Sequence, residues 1–101
     1  MKVTWSPLAI ERAVEQARHI AQDKPGAARK WLAGLFAATG KLSRFPRLGR
    51  VVPELALPDF RELDFGGYRI IYRIEAQRIS VLTVRHSRRL LDPTELGVKA
   101  R

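Results

Sequence analysis

Residues 66–89 read GGYRIIYRIEAQRISVLTVRHSRR. The stretch holds two β-branched runs, each the length of one strand, joined by a few turn-compatible residues. Gly66-Gly67 at its start is a strong turn signal. Alternation divides the first run into Tyr68, Ile70, Tyr72 and Ile74 against Arg69, Ile71 and Arg73. It divides the second into Ile79, Val81, Thr83 and Arg85 against Ser80, Leu82, Val84 and His86. Upstream, FRELDF (60–65) alternates too, with Arg61, Leu63 and Phe65 opposite Phe60, Glu62 and Asp64. Three strands with short connections predict an antiparallel meander. Arginine is placed along it at Arg61, Arg69, Arg73 and Arg85, with Arg88 and Arg89 just beyond.

Working toward the N-terminus, the spacing predicts two helices. Ser6-Pro7 is a start signal, Ser as N-cap and Pro at the first helical position. Ile10, Ala13, Val14, Ala17, Ile20 and Ala21 then follow helical spacing. The Asp23-Lys24-Pro25-Gly26 stretch predicts a four-residue break. Beyond it, Ala28, Trp31, Leu32, Leu35, Phe36 and Leu42 share one face, with Thr39 as a mildly polar member. KVTW before the first helix reads as a short strand. Residues 46–59 hold three prolines and a glycine and read as loop with at most a short extended piece. The expected class is α+β, in the order β-α-α-β-β-β. A helical hairpin lies on one sheet face; the other face, with Arg69 and Arg73, is expected to be open. Residues 1–92 form one domain and residues 93–101 a tail with one helical turn at Pro93.

The chain has 101 residues, 19 Lys and Arg against 10 Asp and Glu, a net charge of +9 and no cysteine. Disulfides and thiolate metal sites are therefore excluded. The two histidines lie far apart, so no metal cluster is expected, and no phosphate-binding glycine loop occurs. No apolar run has the length of a membrane span. The reading is a soluble cytoplasmic protein with no membrane partner and no cofactor. The positive charge is concentrated. Residues 41–50 and 78–89 each carry four Lys or Arg and no acid. Such a field favours polyanions or an acidic protein. Proton-transfer chemistry near neutral pH has two candidates, His86 and Glu54, each with a bland reading as an ordinary surface residue.

Three pieces in order carry a resemblance: VTWSPLAIERAVE (3–15), FPRLGRVVPEL (45–55) and residues 60–89, with Tyr-Arg-Ile-Ile-Tyr and a closing His-x-Arg-Arg. Together they resemble the RelE/ParE superfamily of toxins from bacterial type II toxin–antitoxin modules. The resemblance implies a small antiparallel sheet carrying an N-terminal helical hairpin and a cognate acidic antitoxin as partner. Two activities occur in the superfamily. ParE-like members inhibit DNA gyrase and block replication; RelE-like members cut mRNA on the ribosome. The nuclease branch implies Glu54, Arg61, Arg69, Arg85 and His86 as the catalytic set. The binding reading implies Arg61, Arg69, Arg73, Arg85, His86, Arg88 and Arg89 as contacts to target or antitoxin. Nuclease members often place a tyrosine after the last strand, and here none follows Tyr72. The His-x-Arg-Arg ending favours the ParE-like branch, with the ribonuclease as the alternative and a toxin-fold binding module without activity as a third reading.

Overall fold

A computed structural model of the chain describes residues 1–87, 91 and 93–97. The elements run β1 (Lys2–Trp5), α1 (Pro7–Asp23), α2 (Pro25–Gly40), a 3-10 turn (Lys41–Ser43), β2 (Arg50–Val51), β3 (Phe60–Phe65), β4 (Tyr68–Ile74), β5 (Arg78–His86) and a second 3-10 turn (Pro93–Leu96). The five strands form one sheet in the order β1-β5-β4-β3-β2. Only β1 runs parallel to its neighbour, pairing with β5 from Lys2↔Arg78 to Trp5↔Val81. The α+β class and the helical hairpin on an antiparallel meander are as the sequence predicts. The short extended piece in the proline-rich stretch is β2, paired with Arg61 and Glu62 of β3.

The start of α1 follows its cap. The Ala9 N–H donates to Ser6 Oγ at 3.0 Å, and the same hydroxyl donates to the Leu82 carbonyl at 2.9 Å. One side chain thus fixes the helix start and ties it to β5. The expected four-residue break is a single residue, Lys24. Pro25 opens α2 at its first position, where no N–H is required. The buried stripe of α1 is Ala9, Ala13 and Ala17, whereas Ile10 and Val14 are exposed. Three alanines let the helix lie close to its neighbours and turn the larger side chains outward, against the expectation from periodicity. The helix side of the sheet packs around Leu35, Leu42, Ile70, Tyr72, Ile79, Val81 and Val84. Thr39 is buried there because its hydroxyl returns to the Leu35 carbonyl at 3.2 Å.

The second face is not open. Val52, Phe60, Ile71, Leu91 and Leu96 form a second buried cluster, with Leu55 and Leu82 packed against it. The segment after β2 and the Pro93–Leu96 turn both fold back over the sheet. A second departure lies in β5. Ile71 pairs with Thr83, but Tyr72 pairs with Val81, so Leu82 is an inserted residue. Such a bulge reverses the alternation beyond it. Val84 therefore joins the helix-side core, and His86 pairs with Tyr68, while Arg85 pairs with Arg69.

Candidate functional site

The arginines of the meander are not equivalent, and their backbone positions decide what each does. Arg69 leaves β4 toward the second face and is only 9% exposed. Its Nε donates to Glu62 at 2.8 Å and its Nη2 to the same carboxylate at 3.0 Å. From the other side, Nη1 and Nη2 donate to the two oxygens of Glu54 at 2.7 and 2.8 Å. Two carboxylates thus clamp one guanidinium in the paired geometry that suits Arg best. Glu62 is 5% exposed and has a second, more distant cation, Arg50, at 3.5 Å. The hydrogen bonds from Arg69 hold the Glu54 carboxyl below its usual range, against the opposing effect of burial. The Arg69 guanidinium is pushed further from deprotonation, first by the bonds to Glu54.

Arg61 also has a local task. Its Nε donates to the Pro58 carbonyl at 3.1 Å and its Nη1 to the Gly49 carbonyl at 3.1 Å. It therefore pins the loops on either side of β2. Arg73 is exposed, its guanidinium carbon 5.2 Å from the centre of the Phe60 ring. Arg85 meets Glu95 of the second 3-10 turn. Glu95 also accepts from Arg12 of α1, at 2.9 Å to Nη2. One carboxylate thereby joins α1, β5 and the C-terminal turn. Arg88 and Arg89 lie outside the described residues.

His86 is exposed at the end of β5, its ring set edge-on to Tyr68 with centres 5.5 Å apart. Tyr68 in turn meets Trp31 at 5.3 Å, and burial raises its phenol pKa. A polar cleft between α1 and β5 is lined by Arg12, Gln16, His19, Tyr68, Arg85 and His86. His19, Arg12 and Glu95 are the site residues that sequence reasoning misses. No motif links a helix position to a strand end, and the bulge at Leu82 that turns His86 toward α1 leaves no mark in the pattern. The structure therefore divides the expected catalytic set. Glu54 and Arg69 bind each other on the second face; His86 faces a different cleft.

A family model for the ParE toxin of the type II toxin–antitoxin system parDE matches residues 3–91. The chain belongs to this family. Solved structures share the architecture. The chromosomal ParDE system from P. aeruginosa aligns with a TM-score of 0.73 at 18% identity, covering 85% of this chain and 95% of that one. At that identity the likeness speaks to fold. The toxin–antitoxin complex RelBE2 from Mycobacterium tuberculosis aligns with a TM-score of 0.58 at 27% identity, covering 84% of this chain and 95% of that one. No curated protein matches the chain. As a ParE-family toxin, the chain is the toxin half of a two-protein module with an antitoxin partner. Among the described residues, no group of three or more metal-ligating side chains is placed to hold an ion, and no helix is long and apolar enough to cross a membrane.

Proposed function

We propose that this toxin acts in the cytoplasm by binding and inhibiting DNA gyrase. One observation carries the choice within the superfamily: Arg69 and Glu54 are bound to each other. RNA cleavage by an internal 2′-hydroxyl needs a base, an acid and a stabiliser for developing charge. A Glu54 whose two oxygens both accept from Arg69, and whose proton affinity is lowered by it, is a weak base. An Arg69 already held by two carboxylates offers little to a phosphate. A gyrase inhibitor requires a binding surface and no proton-transfer set.

The antitoxin is an acidic chain. Ile10 and Val14, one turn apart on α1, and Phe36 on α2 are 50, 38 and 53% exposed. They suit the apolar face of a helix docked on the hairpin. The outer edge of residues 63–65, beyond the two residues paired with β2, suits an added strand. The cleft with His19, His86 and Tyr68 favours the ribonuclease as the second reading, since it gathers two imidazoles and a phenol. Two purified reactions separate the readings. The toxin should block supercoiling by gyrase or trap cleaved DNA, and leave mRNA on ribosomes intact. Ribosome-dependent cuts that disappear in His86→Ala would replace the first reading with the second.

A further inference from the structure

A third surface is built into the loop that links α2 to β2. The loop crosses the end of the sheet on the helix side and is held rigidly. Gly49 N–H donates to Tyr72 Oη at 2.9 Å, and the Tyr72 hydroxyl donates to the Pro46 carbonyl at 2.7 Å. Ser43 Oγ donates to the Met1 carbonyl at 2.6 Å. Yet this anchored loop leaves its largest apolar side chains in water. Phe45 is 60%, Leu48 52% and Met1 44% exposed. With Pro46 and Ile74 they line one depression that is mostly apolar. Exposed Lys41, Arg44, Arg47 and Arg50 belong to the same stretch, which contains no acid.

We propose that this depression is a docking site for an acidic protein segment bearing a bulky apolar side chain. The apolar side chain fills the depression, and its flanking carboxylates meet the lysine and arginines. An apolar centre with an aromatic and a charged rim is the composition of a protein interface. A fixed loop lowers the ordering cost of binding. A nucleic-acid backbone would use the cations but not the apolar floor. The proposal does not rest on the gyrase reading, because it names the chemistry of the segment and not the protein that supplies it.

The test is fluorescence anisotropy with a labelled nine-residue peptide of alternating glutamate and leucine. Two control peptides carry glutamine for glutamate or serine for leucine. The toxin should bind the first peptide saturably, and both controls should bind at least about tenfold more weakly, a difference of about 1.4 kcal/mol. Phe45→Ser/Leu48→Ser and Arg44→Gln/Arg47→Gln should each weaken binding by a similar factor with unchanged melting temperature, since all four side chains are exposed. Binding of the two glutamate-bearing peptides should fall with added salt, and that of the glutamine control should not. Absence of saturation at about 1 mM peptide would overturn the proposal, as would full binding by Phe45→Ser/Leu48→Ser. A dimer in sedimentation that this variant abolishes would give the surface to a second copy instead. Binding to phosphatidylglycerol vesicles abolished by the same variant would give it to a membrane.

Discussion

At Arg69 a guanidinium lies between two carboxylates, so removing the cation leaves Glu62 buried without its main partner. Arg69→Met should cost about 3–5 kcal/mol, the usual result of breaking a buried ion pair from one side. Arg69→Met combined with Glu62→Leu should recover most of that loss, because apolar replacements need no desolvation of charge. Urea unfolding of the single and double variants measures both. Growth inhibition by the double variant separates roles: a structural Arg69 predicts recovered toxicity, and a catalytic one predicts none. Glu54 gives a pH signature. Its folded pKa lies below the ordinary value of 4.5, so the unfolded chain binds more protons in that window. The stabilisation is present above about 4.5 and is lost as pH falls through the lowered folded value. Unfolding curves from pH 6 to pH 3 should therefore be flatter for Glu54→Gln than for the parent. That Arg69 and Glu62 share a sheet face follows from strand alternation, which is visible in the sequence; the choice of Glu62 does not, because the register sets Asp64 directly opposite Arg69 and Glu62 on the diagonal. The Glu54 contact is invisible there, because it depends on how the proline-rich segment after β2 folds back.

Among the elements, the loop from α2 to β2 depends on two close approaches. A Cβ on Gly49 would lie 2.4 Å from the Glu62 carbonyl oxygen and 2.8 Å from Tyr72 Oη. Gly49→Ala must therefore move the loop away from β3 and should destabilise by more than about 2 kcal/mol, in the manner of overpacking. Gly40, at the end of α2, meets nothing within 4 Å in the same test. Gly40→Ala should stabilise by about 0.5–1 kcal/mol, from helix propensity alone. Thermal melts of the two variants should move in opposite directions. Helices and strands are largely legible in the sequence because Ser6-Pro7, Gly66-Gly67 and the period-two runs are local signals. The Leu82 bulge is not, since any apolar residue can occupy it and the reversal shows only once Val84 is seen beside Ile70. The covered second face is missed for a related reason: it needs Leu91 and Leu96 to return across the sheet from a segment with no periodic pattern.

For the whole molecule, a net charge of +9 is distributed unequally. Arg69 is neutralised inside by its two carboxylates, and Arg12 and Arg85 share Glu95. Arg78 is paired with Glu75, and the outward charge is carried by residues 41–50, by Arg73 and by exposed Lys2, Arg18, Lys24, Arg29 and Lys30 of the N-terminal half. The central claim is that the toxin's target is gyrase and hence DNA replication. The most direct measurement is incorporation of labelled thymidine and labelled leucine, side by side, in the first minutes after the toxin is induced in bacteria. The account predicts that thymidine incorporation stops first while leucine incorporation continues. Leucine incorporation that stops first, with DNA synthesis still running, would contradict it and point to the ribosome.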